Sequence, residues 1–159
     1  AQHWLKLVES AAVVAGALLD EAAQRSVPLQ PCLRDVWRAH VLFEGDKVTG
    51  LVDLAAMRLD HAATDVARLL ASYAGCDRDA WQTGLATYNS LRAFTPDERP
   101  MLTAFDLSSA AMTPWTWFQW ILVEGRQFEQ PREALLARVW EAIDRLEALA
   151  GGNSPHDAW

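Results

Sequence analysis

The stretch VLFEGDKVTGLVD, residues 41–53, constrains this chain more than any other. Two short β-type runs, about 40–43 and 48–53, flank Glu44-Gly45-Asp46-Lys47, and Gly-Asp between such runs is a hairpin signal. Around the hairpin the apolar period is helical. Trp4, Leu7, Val8, Ala11, Ala15, Leu18, Leu19 and Ala22 recur at helical spacing, so 3–25 reads as an amphipathic helix, ended by a segment with Pro28 and Pro31. From Asp60 onward, helices are expected at about 62–75, 78–92, 97–111, 114–127 and 131–150. Asp60 or Thr64 is a candidate cap for the first of these. Thr95-Pro96-Asp97-Glu98, Thr113-Pro114 and Gln130-Pro131 read as helix starts with proline in the first turn. Gly151-Gly152 stops the last helix, and 151–159 reads as a flexible tail. The expected fold class is mainly α with a small β-hairpin: one helical domain over 1–150, with the hairpin region at 32–58.

A chain of 159 residues is long enough for one domain with a real core. Its formal charge of −7 argues against a nucleic-acid partner, because phosphate contacts need clustered Lys and Arg. No apolar run approaches the roughly 18 residues of a membrane span, and nothing at the start reads as a signal peptide. Cys32 and Cys76 make no metal spacing and need not pair, so a reducing cytoplasm is the expected location. The chain opens at Ala1, already near helical register, which suggests a truncated start.

Asp35 precedes the first strand and Asp53 ends the second. A hairpin sets residues at its open end side by side, so these carboxylates are expected to converge. Such a pair can hold a divalent cation or divide base and metal-ligand duties, although loop aspartates also serve as caps and turn formers. The local sequence adds a resemblance. "LRDVWRAH" (33–40) is similar to the catalytic loop of protein-kinase-like phosphotransferases, H-R-D-x-x-x-x-N. "LVDLAAMRLDHAATDVARLL" (51–70) resembles the next segment of the aminoglycoside phosphotransferase and choline kinase branch: a strand ending in a metal-binding Asp, then an Asp-led helix. The match is strong over about 28–75 and architectural beyond.

The resemblance implies the helical C-terminal lobe of a protein-kinase-like fold. It implies Asp35 as the base or hydroxyl-orienting group and Asp53 as a Mg²⁺ ligand beside the phosphates of ATP. Asp65 would brace the catalytic loop by accepting its backbone amides. His40 takes the place of the family's Asn, making it a candidate metal ligand or, equally, a hydrogen-bonded strand-edge histidine. Leu33 replaces the loop's His, and Leu54-Ala55 replace Phe-Gly. No G-x-G occurs in the chain, and Lys6 and Lys47 are its two lysines, neither placed to grip a nucleotide. The nucleotide lobe is therefore expected elsewhere, and the chain alone is expected to be inactive. Val36, Trp37, Leu54 and Met57 would form part of an apolar face left for a separate N-lobe or for self-association.

Trp115, Trp117, Phe118 and Trp120 crowd one helix and suggest burial nearly all round. Trp117, Trp120 and Glu124 are also a candidate site for a cationic substrate, since aromatic rings beside a carboxylate can cage a cation. His61 and Asp65, four apart, mimic a metal pair but read equally as capping or bracing groups. Two readings stand. One is a phosphotransferase lobe acting on a small hydroxylated, aminoglycoside-like molecule; the other is a non-catalytic helical interaction or scaffold protein.

Overall fold

The computed structural model describes residues 2–151 and Pro155, with side chains from Lys6 onward. The order is α1 (Gln2–Ala23), β1 (Gln30–Cys32), a 3₁₀ turn (Arg38–His40), β2 (Val41–Glu44), β3 (Lys47–Leu51), β4 (Arg58–Asp60), α2 (Ala63–Ala74), α3 (Arg78–Leu91), α4 (Arg99–Phe118), a π-helical turn (Gln119–Val123) and α5 (Arg132–Ala150). The fold is mainly α with a small β part, as the apolar period requires. The expected tail lies outside the described residues except for Gly151 and Pro155.

Helix α4 is the axis of the molecule, packing against α1, α2 and α5. Met101, Leu102, Ala104, Ala110 and Ala111 line its buried side, facing Ala11 and Ala22 of α1 and Ala63 and Ala67 of α2. Alanines on both sides let helix backbones approach closely. Trp81, Leu85 and Phe94 supply bulk on the α3 side, while Leu146 of α5 is buried against Ala11 and Ala110. Each large side chain so buried stabilises by about 1.5–3 kcal/mol.

The hairpin pairs Val41 with Leu51 and Glu44 with Lys47, with an irregularity between Leu42 and Phe43. Gly45 at the first loop position has φ +59, where a side chain is disfavoured and glycine is not. A second ladder was not legible in the sequence. β1 pairs antiparallel with β4, Gln30 opposite Asp60 and Cys32 opposite Arg58. Pro31 is tolerated because a two-stranded ladder leaves one edge of each strand unpaired. This ladder delivers residues 33–35 to the start of α2.

Three expectations need correction. Thr113-Pro114 does not start a helix, because α4 runs through it to Phe118. The Pro114 ring is fully buried, and the Thr113 hydroxyl bonds the Ser109 carbonyl at 2.7 Å, so packing and local bonding offset the lost amide donor. The tryptophan-rich end is not buried all round. Trp115 is 42% exposed and Leu122 69%, since the core ends near Pro114. Neither Asp60 nor Thr64 caps α2; instead the His61 imidazole accepts the Ala63 amide at 3.2 Å.

That histidine belongs to a buried polar node. Thr95 and Glu98 form a capping box: Glu98 Oε2 accepts the Thr95 amide at 2.8 Å, and Thr95 Oγ1 accepts the Glu98 amide at 3.3 Å. Glu98 Oε1 accepts from His61 Nε2 at 2.9 Å and from Arg92. With Nδ1 accepting from Ala63, the His61 proton lies on Nε2. Burial pushes the Glu98 carboxyl up, but the bonds from Thr95, Arg92 and His61 prevail and hold it at about 2. Its folded value lies below the ordinary 4.5, so this stabilisation is complete above pH 4.5 and is lost as pH falls toward 2. Glu98→Gln is expected to cost about 3 kcal/mol at neutral pH. It should also flatten the pH dependence over that acid window, which urea denaturation at a series of pH values checks.

Candidate active site

The loop between β1 and the 3₁₀ turn is built around one carboxylate. Asp65, in the first turn of α2, accepts the backbone amides of Leu33 and Arg34, each at 2.7 Å. Two successive amides can face one acceptor because Arg34 lies in the left-handed region, φ +63. Among the described residues only one other non-glycine does so: Asp53, φ +60. Such conformations cost about 1–3 kcal/mol each and gather at functional sites. Arg34 Nε adds an ion pair to Asp60 Oδ2 at 3.1 Å.

The far end of the loop is tied to two helices. The Arg38 amide donates to Ser72 Oγ at 3.0 Å, and its guanidinium forks onto Glu141 of α5 at 3.1 and 3.2 Å. Arg138 of α5 lies 4.8 Å over the Trp37 ring. Trp37 Nε1–H in turn donates to His40 Nε2 at 2.7 Å. The His40 proton therefore sits on Nδ1, which donates to the Asp35 carbonyl at 2.7 Å. Both ring nitrogens are engaged, and His40 serves as the brace between loop and hairpin.

Asp35, His40 and Asp53 each bring a ligand atom within 4.8 Å of the others. Val52 N–H bonds the His40 carbonyl at 3.0 Å, closing the hairpin's open end so that Asp53 reaches the loop. Asp35 Oδ1 is held by Arg68 of α2, while its Oδ2 has no hydrogen bond among the described residues. Asp53 is 58% exposed and lies 3.7 Å from His40 Nε2. A hard cation prefers oxygen donors, so the two carboxylates are the fitting ligands; His40 could join only if Trp37 released Nε2.

A family model described as APH, phosphotransferase enzyme family, matches residues 2–102. The chain belongs to this family. No curated protein and no solved structure matched it. The match runs from α1 into the start of α4 and contains Asp35, His40, Asp53 and Asp65, whereas α5 lies beyond it.

The aromatic candidates stand apart from this loop. Trp117, Trp120 and Phe128 form a cluster with ring centroids 5.4–6.4 Å apart, and no hydrogen bond, ion pair or ring contact joins it to Asp35 or Asp53 among the described residues. Arg126 stacks 4.8 Å over Trp120 and pairs with Glu124 at 2.5 Å, so the chain's own cation fills the expected cage. His61 and Asp65 turn to different partners, Glu98 and the Leu33 and Arg34 amides. Of the expected apolar face, Val36 is buried and Trp37 half-buried under Arg138, while Leu54 and Met57 are exposed. Arg68 went unassigned in the sequence, although it stands in the Ala-Arg-Leu-Leu run, and nothing local marked Glu141 or Arg138.

Asp65→Asn leaves one neutral acceptor for two amides. It is expected to cost about 2 kcal/mol and to speed hydrogen exchange at Leu33 and Arg34 before global unfolding. Exchange-detected NMR with urea denaturation checks both.

Proposed function

We propose that the chain is the C-terminal, acceptor-side lobe of an ATP- and Mg²⁺-dependent phosphotransferase acting on a hydroxyl of a small molecule. The observation carrying this reading is the convergence of Asp35 and Asp53 at the open end of the hairpin, both at or beside left-handed backbone that the surroundings enforce. Family membership supports phosphoryl transfer as the chemistry. The acceptor oxygen bonds to the γ-phosphorus while the bond to the β–γ bridging oxygen breaks and ADP leaves with that electron pair. Asp35 orients the hydroxyl through its unengaged Oδ2 and receives its proton. Asp53 would hold Mg²⁺, with Asp35 within reach; when bound, the ion supplies charge neutralisation at the phosphates. Arg68 and Asp65 keep Asp35 at a fixed place, the main contribution a protein makes to this reaction.

The nucleotide-gripping groups would come from an N-terminal lobe seated on the hairpin face. Leu42, Phe43, Val48 and Leu51 of the hairpin, and Leu54 and Met57 after it, are all 44–60% exposed, apolar area that favours a partner. Without that lobe a second copy covers the same face. Light scattering is expected to report association that rises with concentration and is abolished by Phe43→Lys.

A second reading, a non-catalytic scaffold, is favoured by the sealing of both His40 nitrogens and by the Arg68 bond on Asp35. Metal binding separates the two. Mn²⁺ is expected to broaden the amide resonances of Asp35, His40 and Asp53, and MgATP at ten times its Kd should stabilise by about 1.4 kcal/mol. Both effects should vanish in Asp53→Asn. Absence of the Mn²⁺ effect from the unsubstituted chain would favour the scaffold.

A further inference from the structure

A cavity of about 270 Å³ opens beside the Asp35–Arg68 pair, between α2 and the second half of α4. Its volume is near the lower end for small-molecule sites, roughly 300 Å³. Arg34, Arg68, Thr64, Ser109, Thr113 and Thr116 give it a polar lining. No acidic residue lines it, although the chain's formal charge is −7. The local sign is opposite to the global one.

The donors and acceptors on the wall are complementary to a particular ligand. Arg34 spends Nε on Asp60, and Arg68 spends one Nη on Asp35. A guanidinium offers five N–H groups, so each arginine keeps donors for an anion. Arg68 Nε and Thr64 Oγ1 are buried with no hydrogen-bond partner, a cost that a ligand can remove. Thr113 and Thr116 give their protons to the Ser109 and Met112 carbonyls at 2.7 and 3.0 Å. Their oxygens keep lone pairs for the hydroxyls of a ligand.

We propose that the acceptor is a small hydroxylated anion, a sugar phosphate or sugar acid in chemical class, whose anionic group pairs with Arg34 and Arg68. Its free hydroxyl then lies toward Asp35, which Arg68 itself holds. The role of acceptor rests on the phosphotransfer reading; the binding site rests on the cavity alone. An aminosugar cation would instead meet two guanidinium groups.

Isothermal titration without nucleotide tests the site, with glucose 6-phosphate, glucuronate, glucosamine and MgADP as probes. Saturable binding of glucose 6-phosphate or glucuronate is expected, and whichever binds identifies the anion as phosphate or carboxylate. Binding should weaken at least tenfold in Arg34→Gln and in Ser109→Leu, which fills the cavity without touching the loop. Arg99→Gln, which removes an exposed positive charge elsewhere, should leave it unchanged. The proposal is overturned if glucosamine binds as well as the anions, if Arg99→Gln weakens binding equally, or if no probe binds. Competition by MgADP would also overturn it, by giving the cavity to nucleotide phosphates. Anion binding by a chain in which Mn²⁺ leaves the Asp35 and Asp53 resonances unchanged would keep the ligand site and remove the phosphotransfer reading.

Discussion

The site depends on the Asp65 carboxylate and the two amides it gathers. Residues 33 and 34 are more than thirty positions away in the chain, and no regular ladder orders them after β1 ends. The acidic side chain on the first turn of α2 substitutes for a ladder by turning consecutive N–H groups to one point. That geometry forces Arg34 into the left-handed region, and the reversal it imposes presents Asp35 to Arg68 on the same helix. The loop is therefore positioned as a unit by α2, and α2 by its packing on α4.

Charge in this molecule is used in two ways. At the Glu98 node and at the Asp106–Arg145 pair that joins α4 to α5, carboxylates only 1% exposed are fully engaged and fix how helices meet. At Asp35 and Asp53 the carboxylates are partly open, with an oxygen or a whole group unspent. Buried acids with complete partner sets hold architecture, whereas exposed acids on enforced backbone retain capacity for chemistry. The cavity next to Asp35 adds a third arrangement: arginines already anchored at one edge, with donors to spare.

Much of the fold could be read from the sequence because its signals are local. The Gly45-Asp46 turn, the apolar periods of α1, α2, α3 and α5, and the mainly α class with a small hairpin all depend on neighbours within about four residues. So did the prospect that Asp35 and Asp53 would meet, since a hairpin dictates what lies at its open end. The losses were non-local. Pro114 looks like a boundary until its ring is seen buried within a continuous helix, and the β1–β4 ladder is too short to show a period. Arg68, Arg138 and Glu141 gain their meaning from partners 33 to 103 positions distant. The aromatic cluster was visible, but not that Arg126 would fold back onto it.

The Arg38–Glu141 fork and the Arg138–Trp37 stack join the loop after β1 to α5. On the ribosome, Arg38 emerges 103 residues before the carboxylate that braces it. The Asp65 and Ser72 contacts need only α2, whereas the fork on Arg38 and the cation over Trp37 need α5. The full set of braces on this loop therefore requires nearly the whole helical domain to have been synthesised.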